Sequence, residues 1–150
     1  MPGGVVDHLT SSNIVHASCV SLAGQGLLIK GASGSGKSAL ALQMMAYGCD
    51  LVADDRVALS IRAEHLMADA PLSLPKLIEA RGIGLIPAML SGSAKLVAVV
   101  DMDILETDRL PKKHEITLIG KSLPLFYRVE GPHFAAGLVQ ALKQGWHDPE

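Results

Sequence analysis

Apolar runs separated by short glycine-rich and polar stretches divide the chain into predicted strands and helices. Residues 26–30 form a short apolar run, and residues 39–46 are a run of good helix formers that ends near Gly48. The first run is typical of a strand, and the second of a helix with a glycine at its C-terminal end. Another apolar run, residues 51–53, follows closely. The pattern therefore predicts a strand, a loop, a helix and a second strand in succession.

The rest of the chain predicts further strands and one more helix. Residues 94–100 form a continuous apolar run, which is typical of a strand buried on both faces. Residues 115–119 and 123–129 flank Gly120 and predict a hairpin, and residues 134–143 predict an amphipathic terminal helix. Shorter patterns predict strands over 16–22 and 56–61, and a turn with a short strand within 77–87. Together these elements predict an α/β domain with a mixed sheet and few helices, although the strand order is not predicted.

The composition is that of one globular domain without a strongly basic surface. The chain has 150 residues, of which 49% are hydrophobic and 3% aromatic, and its formal net charge is −2. We expect a single domain over residues 1–150, with residues 1–12 and 145–150 flexible. The basic cluster at 112–114 is typical of a solvated turn, so we expect no binding to nucleic acid or to a membrane surface.

The cellular compartment is predicted from what the chain does not display. No apolar stretch approaches the roughly 18 residues that a spanning helix needs, and no signal-peptide pattern is visible. Cys19 and Cys49 each stand alone in an apolar setting, as free core thiols usually do. We therefore expect a cytoplasmic chain with two free thiols.

Eight consecutive residues carry the clearest chemistry in the chain. They match the phosphate-binding loop pattern G-x-x-x-x-G-K-[ST] at every fixed position. These residues are Gly31, Ala32, Ser33, Gly34, Ser35, Gly36, Lys37 and Ser38. The glycines let the backbone turn its N–H groups inward, Lys37 adds a positive charge for the outer phosphates, and the Ser38 hydroxyl can reach a Mg²⁺ ion. Because the motif lies between a predicted strand and a predicted helix, we predict nucleotide binding here rather than a glycine-rich turn that binds nothing.

Carboxylates that follow this loop are candidates for metal binding and proton transfer. Asp54 and Asp55 come directly after the strand at 51–53, where a strand end commonly meets a ligand. In an extended chain their side chains diverge, so one could face a substrate hydroxyl and the other a metal or a structural partner. Glu79 would be a surface residue by default, but it lies in a turn-rich, apolar stretch, which makes a functional role equally reasonable.

Four other polar residues have ordinary interpretations when each is taken by itself. Arg109 lies in a polar loop and is typical of a surface arginine, and His16 is typical of a strand residue. Asp101 and Asp103 follow the 94–100 strand. They could be metal ligands, or they could end the strand and cap a turn, and the pattern favours the second interpretation.

Three motifs together resemble one known family. The phosphate loop is followed by Leu51-Val52-Ala53-Asp54-Asp55 and then by Glu79-Ala80-Arg81-Gly82-Ile83-Gly84. This combination is similar to HPr kinase/phosphorylase, and the similarity runs from about His16 to the terminal helix. The chain resembles the catalytic, C-terminal domain of that family alone, in a short form similar to those of some alphaproteobacteria. The resemblance implies a phosphate-loop α/β domain with a mixed sheet.

The resemblance also implies an activity. Members of this family use ATP and Mg²⁺ to phosphorylate a serine of the small phosphocarrier protein HPr. They use the same site in reverse when inorganic phosphate attacks phosphoserine and releases pyrophosphate. Because family members assemble as hexamers, a homo-oligomer is implied as well.

Catalytic roles are implied at positions that match the family's motifs. Asp54 matches the catalytic aspartate, which takes the serine proton in the kinase direction, and Asp55 becomes the candidate if Asp54 is not the base. His16 matches a histidine near that aspartate. Lys37 is the phosphate-loop lysine, and Arg109 matches an arginine that steadies the transferring phosphoryl group.

Metal-binding roles are implied in the same way. Ser38 and Glu79 match metal ligands, with Asp55 nearby in support, and Arg81 matches the arginine of the family signature. The sequence departs from the family at Ala32, at Ala39, in the 130–133 loop and in a shorter segment before Arg109. These departures bear on phosphorolysis, effectors and the protein substrate more than on ATP binding.

Two other classes of function fit the same motifs. A small-molecule kinase, or an enzyme like phosphoenolpyruvate carboxykinase, would use a similar loop, although 150 residues leave little room for a substrate lid. A non-catalytic nucleotide-binding sensor would need the loop and a metal ligand, but no proton acceptor aimed at a hydroxyl. The role of the carboxylates at 54 and 55 therefore discriminates between a sensor and a kinase.

Overall fold

A mixed nine-stranded sheet is the central feature of a computed structural model, which describes residues 13–148. The strands of the described chain are β1 (Asn13–Val15), β2 (Ala17–Leu22), β3 (Gln25–Lys30), β4 (Asp50–Ala53), β5 (Val57–Arg62), β6 (His65–Asp69), β7 (Leu77–Ala80), β8 (Gly84–Pro87), β9 (Ala94–Leu105), β10 (His114–Leu118) and β11 (Lys121–Arg128). The helices are α1 (Lys37–Ala46) and α2 (His133–Gln144). Strands β7 and β8 form a separate two-stranded sheet. The predicted α/β class, with a mixed sheet and few helices, is confirmed.

Strand β9 organises the sheet. It runs parallel to β3 on one side and to β11 on the other, and its N-terminal end also pairs antiparallel with β6. The order across the sheet is β1-β5-β6-β9-β3-β2-β4, and the β10–β11 hairpin adds beside the second half of β9. Lys30, the last residue of β3, lies opposite Asp101 of β9. The chain that leaves β3 therefore begins beside the C-terminal part of β9.

Strands β3 and β9 are each buried on both faces of the sheet. Ile29 and Val100 belong to a cluster that includes the buried residues of α1 and α2, whereas Leu28 and Val99 belong to a second cluster. Successive residues of a strand point to opposite faces, so the two clusters lie on opposite sides of the sheet. This double burial accounts for the continuous apolar runs in the sequence and gives the loop after β3 a firm support.

Several local predictions are confirmed, and three are extended. The helix predicted over 39–46 begins earlier, at Lys37, and the hairpin around Gly120 and the terminal helix are present. The stretch 77–87 is a complete antiparallel hairpin rather than a turn with one strand. The strand predicted over 94–100 continues to Leu105, because β11 pairs with its second half.

The longer β9 corrects the interpretation of its two aspartates. Asp101 and Asp103 lie inside the strand and do not end it. The pairing of β9 with β11 is a property of the tertiary fold, and no local sequence pattern predicts it.

The C-terminal end of the described chain has specific contacts. The Trp146 ring packs edge-on against Phe126, with ring centroids 5.3 Å apart, and Lys113 Nζ lies 3.6 Å from an Asp148 carboxylate oxygen. The flexibility predicted for 1–12 concerns residues outside those that the structure describes. Within residues 13–148, no helix is long and apolar enough to cross a membrane.

The two cysteines are free and buried, as predicted. Burial raises the pKa of both thiols above the ordinary value, and a nearby aspartate acts in the same direction on each of them. Both thiols therefore stay protonated at neutral pH and behave as small apolar groups of the core.

Candidate active site

The phosphate loop, residues 31–36, joins β3 to α1 through a backbone that favours glycine at three points. The φ angle is 152° at Gly31, 85° at Gly34 and 101° at Gly36. A Cβ atom on Gly31 would also lie 2.5 Å from Ser35 Oγ, so this glycine is needed for space as well. Gly36 is the N-cap of α1, and no side chain caps the helix there. Because the first amides of a helix have no partner within it, they are available to an anionic ligand.

The side chain of Lys37, the first residue of α1, folds back over the phosphate loop. Its Nζ donates to the Gly31 carbonyl at 2.9 Å and to the Ala32 carbonyl at 3.0 Å, and the residue is only 7% exposed. Its positive charge is therefore held inside the curve of the loop, where the phosphates of a nucleotide would bind.

A cavity of about 380 Å³ opens against the loop. Its size falls within the range of small-molecule sites. Its lining residues are His16, Ser33, Gly34, Ser35, Gly36, Lys37, Ser38, Ala39, Asp55, Glu79 and Arg81. Four segments that are distant in the sequence thus meet around one space, and they include most of the site residues expected from the motifs.

Asp54 lies behind the loop and does not line the cavity. The residue is 7% exposed, and the Ser38 hydroxyl lies 2.8 and 2.9 Å from its two carboxylate oxygens. Ser18 Oγ also donates to Asp54 Oδ1, at 2.6 Å. No motif includes Ser18, and its only signal in the sequence is that it is one of two serines in the buried strand β2.

Asp55, unlike Asp54, lines the cavity. Its φ of 76° is in the left-handed region, so the backbone turns immediately after Asp54 and the two side chains diverge. Asp55 Oδ1 lies 3.0 Å from His16 Nε2, and its Oδ2 lies 3.8 Å from Arg56 Nε. The residue is exposed. The structure therefore pairs Asp55, rather than Asp54, with the histidine.

Glu79 and Arg81 reach the cavity from the β7–β8 hairpin. Glu79 is opposite Leu85 on the outer face of the hairpin, whereas the neighbouring Ile78 is 2% exposed and packs into the core. The alternation of a strand thus anchors the hairpin and at the same time directs Glu79 outward. The Glu79 backbone N–H lies 3.4 Å from Asp54 Oδ2, which brings this strand close to the Ser38–Asp54 pair.

The oxygen atoms near Ser38 fit a magnesium ion better than a metal held by protein ligands alone. Residues 13–148 contain no cluster of three or more His, Cys, Asp or Glu side chains that could hold a metal. Mg²⁺ usually keeps several waters and binds through one or two carboxylates together with substrate phosphates. The Ser38 hydroxyl, the Asp54 carboxylate and the Glu79 carboxylate have the hard oxygen donors for such a site.

Arg109 is an expected catalytic residue that, like Asp54, does not line the cavity. It is exposed in the loop between β9 and β10 and is absent from the cavity lining. Glu106 shapes that loop, because one of its oxygens accepts the backbone N–H groups of Thr107 and Asp108, each at 3.1 Å. Arg81 is the arginine that does line the cavity.

Comparison with known proteins identifies the family. The family model described as the HPr Serine kinase C-terminal domain matches residues 7–114. The HPr kinase/phosphorylase of Lactiplantibacillus plantarum is 36% identical over 132 residues, which cover 85% of this chain and 42% of that protein. The protein of the same name from Levilactobacillus brevis is 39% identical over 99 residues, which cover 65% of this chain and 32% of that protein.

A solved structure shows the same fold. The Hpr(Ser) kinase/phosphatase from Coxiella burnetii matches with a TM-score of 0.73 at 19% identity, covering 88% of this chain and 89% of that chain. The chain spans less than half the length of the curated relatives that it matches. The family-model match extends over the phosphate loop, the Asp54–Asp55 pair and the Glu79–Arg81 segment. On these grounds, the chain belongs to the HPr Serine kinase C-terminal domain family.

Proposed function

We propose that this chain is an ATP- and Mg²⁺-dependent protein-serine kinase that acts on an HPr-like phosphocarrier protein. The observation that carries the proposal is that a phosphate loop and a histidine–aspartate pair face the same cavity. The first element suits a nucleotide, and the second suits a hydroxyl that must lose a proton. The names of the relatives support the class of substrate.

The nucleotide end of the site is assigned to the loop and to helix α1. When a nucleotide binds, Lys37 replaces its two contacts with loop carbonyls by contacts with the outer phosphates. The N-terminal amides of α1 donate to the same negatively charged phosphates. Ser38, Asp54 and Glu79 are assigned to the metal. Bound Mg²⁺ supplies neutralisation of the negative charge on the phosphates.

The acceptor end of the site is assigned to Asp55. Its carboxylate lines the cavity and takes the proton of the serine hydroxyl, while His16 holds it in place through the 3.0 Å contact. In the reverse direction, inorganic phosphate attacks the phosphorus of phosphoserine, the bond from phosphorus to the serine oxygen breaks, and pyrophosphate forms. The same carboxylate passes the proton of the attacking phosphate to the serine oxygen. Arg81, which also lines the cavity, is assigned to the charge of the moving phosphoryl group.

These assignments move two roles away from the residues first expected. Asp54 is expected from the motif to be the base, yet hydroxyl donors contact both of its oxygens and the residue is nearly buried. A carboxylate in that position suits a metal-bound serine better than an incoming protein substrate. The stabilisation of the moving phosphoryl group, expected from Arg109, is assigned to Arg81, because Arg109 does not line the cavity.

Phosphoryl transfer to a carrier protein tests the proposal. The chain is incubated with ATP labelled at the γ-phosphate, Mg²⁺ and an HPr-like phosphocarrier, and the modified residue is mapped by mass spectrometry. We expect label on one serine and none on a carrier with that serine replaced by alanine. Efficient labelling of a free metabolite instead would support a small-molecule kinase, and tight ATP binding without any transfer would support a sensor.

Glu79→Gln tests the metal assignment. We expect the Mg²⁺ concentration for half-maximal transfer to rise several-fold, because a hard cation prefers an anionic oxygen to a neutral amide. Glu64→Gln is the matched control, since Glu64 is an exposed glutamate in the turn between β5 and β6 and does not line the cavity. Superimposable Mg²⁺ titrations for the wild type and Glu79→Gln would remove Glu79 from the metal site.

Assembly and location are proposed from the family alone. We propose a homo-oligomer, with the hexamer as the expected form, located in the cytoplasm with its substrate. Light scattering coupled to gel filtration measures the assembly directly.

A further inference from the structure

Two carboxylates on β9, outside the cavity lining, hold the residues on either side of Gly31. Asp101 Oδ2 accepts from Lys30 Nζ at 3.1 Å. Asp103 accepts the Ala32 backbone N–H with both carboxylate oxygens, at 3.0 and 3.1 Å. The phosphate loop is thus attached to the neighbouring strand immediately before and immediately after its first glycine.

The two attachments are joined to each other. The backbone N–H of Asp103 donates to Asp101 Oδ1 at 2.9 Å. We call the group Lys30, Ala32, Asp101 and Asp103 the carboxylate bracket. The bracket forms because β9 continues past the end of β3, so that Asp101 lies opposite Lys30 and Asp103 lies beside the loop.

The residue between the two aspartates supports the loop as well. Met102 is 7% exposed and packs in the hydrophobic cluster that includes the buried residues of α1 and α2. Its Cβ lies 3.1 Å from the position that a Gly31 Cβ would occupy. Residues 101–103 therefore form one wall of the loop. The metal-ligand role considered for the two aspartates is not needed to explain them, because Lys30 and backbone N–H groups already occupy their oxygens.

Ala32 is where the bracket meets the nucleotide-binding machinery. Its N–H is held by Asp103, and its carbonyl accepts from Lys37 Nζ at 3.0 Å. A hydrogen bond from an amide to a carboxylate is stronger than one to a neutral acceptor, so Asp103 restricts the first turn of the loop effectively. Without this contact, the loop would need to be ordered when phosphate binds, and affinity would fall.

We propose that Asp103 is a positioning residue for nucleotide binding, which it promotes by fixing the Ala32 peptide through the carboxylate bracket. The inference rests on the proposed function for its ligand, a nucleoside triphosphate. It has its own structural readout, which is the protection of the loop amides in the absence of any ligand.

The first measurement is ATP affinity, determined by calorimetry with Mg²⁺ for two variants of the full chain. We expect Asp103→Ala to raise the dissociation constant about tenfold, because one charge-assisted contact, made by an exposed carboxylate, is lost. Asp103→Asn keeps an acceptor oxygen and should stay within about threefold of the wild type. Asp108→Ala, which removes an exposed aspartate from the loop after β9, is the control and should leave the affinity unchanged.

The second measurement is amide hydrogen exchange of the loop without nucleotide, followed by mass spectrometry. Exchange in the 31–37 segment should accelerate in Asp103→Ala and stay near the wild-type rate in Asp103→Asn, while the thermal midpoint of both variants is retained. Unchanged exchange in Asp103→Ala would overturn the inference. If the wild type binds ATP, an ATP affinity of Asp103→Ala equal to that of the wild type would overturn it as well. If the wild type binds no ATP but its loop exchange depends on Asp103, the proposed function fails and the bracket stands.

Discussion

Replacement of Lys37 by alanine is expected to abolish phosphoryl transfer and to weaken ATP binding about 10- to 100-fold. The lost contact is a charge-assisted one to the outer phosphates, for which roughly 1.5–3 kcal/mol is typical. The Gly31 and Ala32 carbonyls also lose the contact with Lys37 in the free protein, although Ala32 keeps the Ser35 backbone N–H as a donor at 3.0 Å, so the variant is affected before and after the nucleotide binds. Calorimetry with ATP and Mg²⁺ measures the affinity, and the carrier-labelling assay measures transfer.

The matched control for this prediction is Lys95→Ala. Lys95 is exposed near the N-terminal end of β9, at the opposite end of the β3–β9 pair from the loop. Its loss should change neither affinity nor transfer, while circular dichroism shows that both variants are folded. ATP affinity and transfer rate equal to the wild type in Lys37→Ala would mean that the loop is not the nucleotide site.

Replacement of Asp55 by asparagine is expected to slow transfer by about 10²–10⁴ while ATP affinity is largely kept. Asparagine retains the size and one acceptor oxygen of aspartate, but it cannot take the serine proton. The contact with His16 at 3.0 Å can survive with the amide, so the loss is confined to the chemical step. Single-turnover labelling of the carrier at saturating ATP measures that step.

The companion variant Asp54→Asn separates the two neighbouring carboxylates. Because Asp54 accepts from Ser38 and Ser18, we expect it to raise the Mg²⁺ requirement, as Glu79→Gln does. A chemical-step loss in Asp54→Asn, with Asp55→Asn transferring at the wild-type rate, would return the role of base to Asp54. Wild-type transfer in both variants would exclude an aspartate base and favour direct attack by the hydroxyl.

Local elements were the part of this protein that could be predicted from its sequence. The helix after the phosphate loop, the hairpin around Gly120 and the terminal helix depend on short-range patterns, and all are present in the structure. The apolar run at 94–100 also indicated a strand covered on both faces, and the run at 26–30 indicated a strand. The full length of β9 could not be predicted, because it depends on pairing with β11, which is more than 20 residues away in the chain.

Residue types and their spacing were enough to identify the phosphate loop and the set of candidate side chains, because a motif consists of these two properties. The contacts that each candidate side chain makes depend instead on the folded arrangement of the chain. A left-handed backbone angle at Asp55 turns its carboxylate to His16 and leaves Asp54 behind Ser38, and residue type does not prescribe that angle. Packing of the β7–β8 hairpin brings Glu79 and Arg81 to the cavity, whereas Arg109 stays outside it. The parallel pairing of β9 with β3 places Asp103 on the Ala32 amide, across a sequence separation of 71 residues that no local pattern spans.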